Sequence, residues 1–206
     1  MPYTYDYPRP AVTVDSAVFT LYDDILSVAL IERGREPFEG RLALPGGYIE
    51  LDEEIEAGAR RELAEETGLS DLEWFDPLGF FGAIDRDPRG RTIGLAFVGF
   101  AANPPPMLRG GDDAASATWT PLDLAVELAF DHDRILEEAV KKLVLAMMRL
   151  SMRADGMIGT NKVDLDAEVK IDGYQEVIKQ AYERFLDKKK FRFSRPSRPQ
   201  NGGDGR

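Results

Sequence analysis

Glu62, Glu65 and Glu66 sit at positions i, i+3 and i+4 of one stretch. If that stretch is helical, one face carries three carboxylates. Like charges at this spacing repel and destabilise a bare helix. A bound divalent cation removes the penalty, and hard oxygen donors suit Mg²⁺ or Mn²⁺. Glu53 precedes Glu62 by nine residues, about two and a half helical turns, and so falls near the same side of a continuous helix. Gly46-Gly47 leads into the segment, where a glycine backbone can approach an anion closely. The competing reading of three glutamates alone is a solvated helix face.

The elements that must position these groups are legible on either side. Val12 to Phe19 and Leu26 to Ile31 are rich in β-branched residues and predict a hairpin across Tyr22-Asp23-Asp24. Pro37 to Gly40 predicts a loop, and Arg41 to Leu44 a short strand stopping at Pro45-Gly46-Gly47. Glu53 to Thr67 is the clearest helix, with Asp52 as N-cap, Ile55, Ala59 and Leu63 as its buried stripe, and Gly68 as a left-handed stop. Leu72 to Phe75, Leu78 to Phe81, Thr92 to Ala101 and Ala117 to Thr120 predict strands. Pro121 to Leu128 and Asp133 to Leu150 predict helices, and Gly173 to Lys189 an amphipathic helix with Tyr174, Val177, Ile178, Ala181 and Phe185 on one side. Trp74, Phe80 and Phe81 are expected in the core.

Composition narrows the chemistry. The chain has 206 residues, 43% of them apolar, which fits one domain with an extension. With 26 basic against 37 acidic residues the net charge is −11. That balance lacks the basic field of a nucleic-acid binder and favours sites that gather cations. There is no cysteine, which excludes disulfides, thiolate metal sites and cysteine nucleophiles. His132 is the only histidine, so a multi-histidine metal site is excluded too. No apolar run is long enough to span a bilayer, and the Tyr- and Pro-rich start is unlike a signal peptide, so a cytoplasmic location is expected. Residues 187–206 carry seven Lys/Arg and two Asp, ending in a Pro/Gly/Ser-rich run that predicts a disordered basic tail over 194–206.

The full segment, Gly47, Glu53, Arg61-Glu62-Leu63, Glu65-Glu66 and Gly68-Leu69, resembles the Nudix box, Gly-x5-Glu-x7-Arg-Glu-U-x-Glu-Glu-x-Gly-U with U apolar, at every fixed position. Pro37 to Gly40, Asp85-Arg86-Asp87-Pro88-Arg89-Gly90-Arg91 and Leu128-Ala129-Phe130-Asp131-His132 look like the ADP-ribose pyrophosphatase-like branch. The resemblance covers about residues 8–148. It implies an α/β class, an α/β/α sandwich with a mixed sheet over 1–150, and leaves 151–193, which the residue pattern predicts as a short helical extension, unaccounted for. It implies hydrolysis of a nucleoside diphosphate linked to another moiety, with ADP-ribose cleaved to AMP and ribose 5-phosphate as the leading substrate.

Carried over by position, Glu62, Glu65 and Glu66 and the Gly46 carbonyl would hold Mg²⁺ or Mn²⁺. Glu53 would be a supporting carboxylate, and Arg61 would orient a glutamate. Glu62 is the favoured general base, with Asp112, Asp113 and Glu127 as alternatives. Arg33, Arg89 and Gly47 are the substrate-binding candidates, and Arg35, Arg86 and Arg91 also flank the expected cleft. Arginine suits phosphate because its planar fork bonds two oxygens. His132, between Asp131 and Asp133, reads as structural, with Asp131 capping the next helix. Relatives of this kind are commonly dimers. Some carry a C-terminal winged helix and sense ADP-ribose while binding DNA, so such a regulator is the alternative, beside a hydrolase of an oxidised nucleotide or nucleotide sugar. The stretch after Leu150 does not supply two further helices and a wing.

Overall fold

A computed structural model describes residues 6–101, 104–111, 114–154 and 175–193. Its strands are β1 (Ala11–Tyr22), β2 (Ile25–Arg33), β3 (Leu42–Ala43), β4 (Gly46–Tyr48), β5 (Leu72–Phe81), β6 (Thr92–Ala101) and β7 (Ala114–Pro121). Its helices are α1 (Ile55–Thr67), α2 (His132–Ala154) and α3 (Gln175–Phe193). The sheet is mixed. β1 runs parallel to β6, and all other pairings are antiparallel. The β1–β2 hairpin turns on Asp23 and Asp24, both at positive φ (49° and 60°), the left-handed pair that a two-residue hairpin loop requires.

Alternation along β1 divides the core. Val14 and Val18 face α1 and pack with Ala59, Leu63, Leu69 and Phe97. Ala17, Phe19 and Leu21 face the opposite side, where Ile135, Leu136 and Val140 of α2 meet Ile178, Ala181 and Phe185 of α3. The result is the expected α/β/α sandwich. The C-terminal helix is built into one of its layers, and α2 runs on to Ala154.

Several expectations need correction. The short strand β3 stops before Pro45 as expected, but Gly46-Gly47 then opens a further strand, β4, against Thr13–Asp15 of β1. The helix begins at Ile55 with Glu54 at its N-cap, and no side chain caps it. Asp52 therefore does not cap. Ile55 is 42% exposed while Ala59 and Leu63 are buried, because the first turn projects beyond the sheet. Gly68 does close α1 in the left-handed region (φ 75°). Only Leu122–Leu124 of the Pro121–Leu128 stretch turns, as one 3-10 turn, since positive φ at Glu127 (58°) interrupts helical geometry. Phe80 is 80% exposed, because β5 lies at the sheet edge and slips register between Pro77 and Gly79. Phe81 is buried and Trp74 packs against the core. Tyr174 and the 194–206 tail lie outside the described residues. Among the described residues, no helix is long and apolar enough to cross a membrane.

Candidate active site

A cleft of about 340 Å³ opens where β1, β2 and β4 meet α1 and the loops before β6 and α2. Its acidic wall comes from α1 and the glycines of β4. Glu66 accepts a hydrogen bond from the Gly46 N–H at 2.9 Å. Glu62 lies directly over Gly47, where a Cβ would fall 2.6 Å from its Oε2. A side chain there would push the Glu62 carboxylate out of its place. Both carboxylates line the cleft.

Arg61 ties this wall together. It donates to Glu53 through Nε at 3.0 Å and Nη2 at 2.8 Å. It reaches Glu62 at 2.9 Å, Glu65 at 3.2 Å and the Tyr48 carbonyl at 3.1 Å. Glu53 also accepts the Glu50 N–H at 2.9 Å. The hydrogen bonds from Arg61, then from Glu50, push the Glu53 carboxyl down to about 2. Burial raises the pKa of Glu62 and outweighs the opposing pull of Arg61, with the charges of Glu65 and Glu53 adding to the rise.

The opposite wall is cationic. Arg33 lies over the Phe130 ring, with its guanidinium carbon 4.7 Å from the centroid, and donates through Nε to the Pro37 carbonyl at 2.8 Å. Arg89 reaches the same ring at 5.5 Å and the Tyr48 ring at 5.3 Å. Asp87 holds Arg89 at 2.7 Å and raises its pKa. Burial and then the charge of Arg89 lower the pKa of Arg33, so the two guanidinium groups feel each other's charge.

Between the walls is a buried polar floor. Arg86 donates to Asp131 at 2.8 Å, to Asp15 at 3.2 Å and to Thr13 at 3.3 Å. His132 accepts the Leu44 N–H at Nδ1 (2.9 Å), which leaves Nε2 to carry the proton toward Asp15 Oδ1 at 3.3 Å. Burial raises the Asp15 pKa, but His132 and Arg86 together overcome it and hold the carboxyl below its ordinary value. A Cβ on Gly94 would fall 2.8 Å from Arg86 Cζ, so β6 carries glycine where the buried guanidinium passes.

These positions sort the sequence candidates. Glu62, Glu66, Gly46, Gly47, Arg33, Arg35 and Arg89 line the cleft. Glu65 is 61% exposed and turned to Arg61, so the three-carboxylate face divides. Glu53 precedes α1 and meets Arg61 from the loop. Glu127 is exposed and away from the cleft lining. Asp112 and Asp113 lie outside the described residues. Arg91 is spent on the Gly82 and Ala83 carbonyls at 3.0 Å each. Asp131 does not cap α2 with its side chain, which faces Arg86; its carbonyl accepts the Arg134 and Ile135 N–H groups. His132 lies on the floor of the cleft, and the acid beside it is Asp15 rather than Asp131 or Asp133.

Sequence reading missed Asp15, Tyr48 and Phe130 as cleft residues. The available signal for Asp15 was an acid inside a β-branched run, which a central strand tolerates only with partners. Among the described residues, no three His, Asp or Glu side chains are arranged as a preformed metal cage. The donor chemistry nonetheless fits a hard divalent cation: two cleft carboxylates, one held by the Gly46 N–H and one by Arg61, with further glutamates balanced by that same arginine.

The NUDIX domain model matches residues 12–143. The chain is 37% identical over 135 residues to an ADP-ribose pyrophosphatase of Methanocaldococcus jannaschii, covering 66% of this chain and 76% of that one. It is 34% identical over 145 residues to the ADPR responsive transcriptional repressor NtrR of Acinetobacter baylyi, covering 67% of this chain but only 56% of the repressor. Among solved structures, the NUDIX domain of Shewanella oneidensis NrtR complexed with ADP ribose superposes with a TM-score of 0.62 at 31% identity, over 68% of this chain and 94% of that one.

Proposed function

The chain belongs to the Nudix hydrolase family, and from that premise we propose that it is a Mg²⁺- or Mn²⁺-dependent pyrophosphohydrolase cleaving ADP-ribose to AMP and ribose 5-phosphate. The observation that carries this reading is the two-walled cleft. Glu62 and Glu66 face it from the glycine side, and Arg33 and Arg89 from the other. A pyrophosphate bridged to a divalent cation needs carboxylates on the metal side and guanidinium groups on the phosphate side.

Water adds across the phosphoanhydride, one phosphate gaining the oxygen and the other leaving with the bridging oxygen. When bound, the metal supplies charge neutralisation and a more acidic water. Glu62 and Glu66 with the Gly46 carbonyl are the groups assigned to hold it, and Glu65 would join them by turning away from Arg61. Glu62 is assigned as the base because it lines the cleft and is fixed over Gly47. Arg61 orients Glu62 through its 2.9 Å bond. The exposed face of Tyr48 offers the nucleobase a stacking surface beside Arg89.

Relatives that include an ADPR responsive repressor and an ADP-ribose complex favour ADP-ribose as the ligand. A regulator is the second reading. The packing of α3 into the core cluster argues against it, since a helix committed there is not available to build a separate DNA-reading unit. The test is a panel of nucleoside diphosphate derivatives assayed with Mg²⁺, with phosphatase release of phosphate from each product. ADP-ribose is expected to be the best substrate, and EDTA is expected to abolish turnover until Mg²⁺ or Mn²⁺ is restored. Undiminished hydrolysis in excess chelator would defeat the mechanism. Tight, sequence-selective duplex binding that responds to ADP-ribose would favour the regulator.

A further inference from the structure

Phe130 does something no sequence rule assigns to it. It lies two residues before α2 proper, in the left-handed region at φ 54°, and its edge-to-face partner Phe38 is also left-handed at φ 67°. Bulky L-residues rarely take this conformation, and two that meet with ring centroids 4.8 Å apart indicate a place where the surroundings over-determine the backbone. Strain of this kind concentrates at functional sites. Phe38 and the small cluster of Ile31, Ala43 and Ala129 hold one side of the ring. Toward the cleft, Arg33 and Arg89 both place their guanidinium groups near it, at 4.7 and 5.5 Å from the centroid.

We propose that Phe130 is a positioning residue whose ring face seats Arg33 and Arg89 together as a paired cationic site for the phosphates of the substrate. The negative face of an aromatic ring attracts each cation. It thereby offsets part of the repulsion of two like charges in one half-buried wall. Neither arginine alone fixes the spacing. Arg33 is tethered to the Pro37 carbonyl of the β2–β3 loop and Arg89 to Asp87 of the β5–β6 loop, two segments far apart in sequence. The Phe130 ring is the group that both contact, Arg89 also meeting the Tyr48 ring at 5.3 Å. The pair is completed when an anion binds between them, which is why the effect belongs to substrate affinity rather than to turnover.

This inference rests on the reading that the cationic wall meets phosphate, and its test separates the two. Phe130→Leu keeps apolar bulk and removes the π face, whereas Phe130→Tyr keeps the face. Steady-state kinetics with ADP-ribose and Mg²⁺ are measured beside calorimetric titration of inorganic pyrophosphate into the metal-free protein. With two cation–π contacts removed, F130L is expected to raise KM and the pyrophosphate Kd about tenfold while kcat stays within about threefold, and F130Y to restore both constants. In an Arg33→Ala/Arg89→Ala background, F130L is expected to change pyrophosphate affinity no further. An F130L chain with wild-type KM and pyrophosphate affinity would overturn the proposal. So would equal losses in F130L and F130Y, a full additional loss in the double-arginine background, or no pyrophosphate binding by the wild-type protein. Should F130L melt before assay temperature, Phe130→Met replaces it under the same criteria, and a melting F130M with F130Y also inactive would mark Phe130 as packing alone. A wild-type protein that binds pyrophosphate through this pair but hydrolyses no nucleoside diphosphate derivative would defeat the proposed function and leave this inference standing.

Discussion

Replacing Gly47 by alanine should separate activity from stability. The added methyl would fall 2.5 Å from Glu62 Cδ and 2.6 Å from Oε2, whereas ordinary contact begins near 3.4 Å. The carboxylate must therefore retreat by about 1 Å, and a misplacement of that size costs on the order of 10²-fold in rate, or about 2.7 kcal/mol of transition-state stabilisation. The fold should lose far less. The obstructing group is the end of a side chain, and the bond it would loosen is a partly exposed Arg61–Glu62 pair worth up to about 1 kcal/mol. Gly46→Ala is the comparison in which stability falls as well as activity. Its methyl would strike the Val14 carbonyl and lie 2.9 Å from the Asp15 Cα, both backbone, so β1 and β4 would have to part. That overpacking should cost about 1–3 kcal/mol of stability. The assay is kcat/KM with ADP-ribose and Mg²⁺ alongside thermal melting. A G47A enzyme within threefold of wild type would refute the placement of Glu62, and so would an activity loss that merely follows unfolding.

Other perturbations test the remaining links. Glu66→Gln should remove most activity yet keep the melting temperature level, because an amide oxygen can still accept the Gly46 N–H while the charge is gone; near-full turnover, or a collapse in melting temperature, would contradict the assignment. Phe185→Ala should destabilise the chain by about 3–5 kcal/mol, since that ring is 1% exposed within the main core cluster, and chemical denaturation reads this directly. Deleting residues 194–206 should leave hydrolysis within about twofold, because the Pro/Gly/Ser-rich basic composition there predicts little contribution to stability. Asp15, with its pKa below the ordinary 3.8, binds protons less readily folded than unfolded. Its stabilisation is complete above that value and is lost as pH falls through the folded pKa. Melting curves of Asp15→Asn should then lose less stability below about pH 3.8 than wild type, and parallel curves would argue against the Asp15–His132–Arg86 linkage.

The local features of this chain were determined by sequence alone wherever a short-range rule governs them. Runs rich in β-branched and apolar residues located β1, β2 and β6, and Gly68 ended α1 because only a left-handed residue closes that turn. The box spacing identified the family through residues within one loop and one helix. Tertiary structure decided the rest for physical reasons that no window of sequence contains. Glu53 left the helix because Arg61 and the Glu50 N–H hold it in the loop. Glu65 turned from the cleft while Glu62 and Glu66 remained, Glu66 held by the Gly46 N–H and Glu62 by Arg61 over the open space at Gly47. Phe80 faced solvent because of a register slip at a sheet edge. Asp15, Arg86, Asp131 and His132 are separated by up to 117 positions yet form one floor, because a buried charge finds its partners only after β1, β6 and α2 have packed.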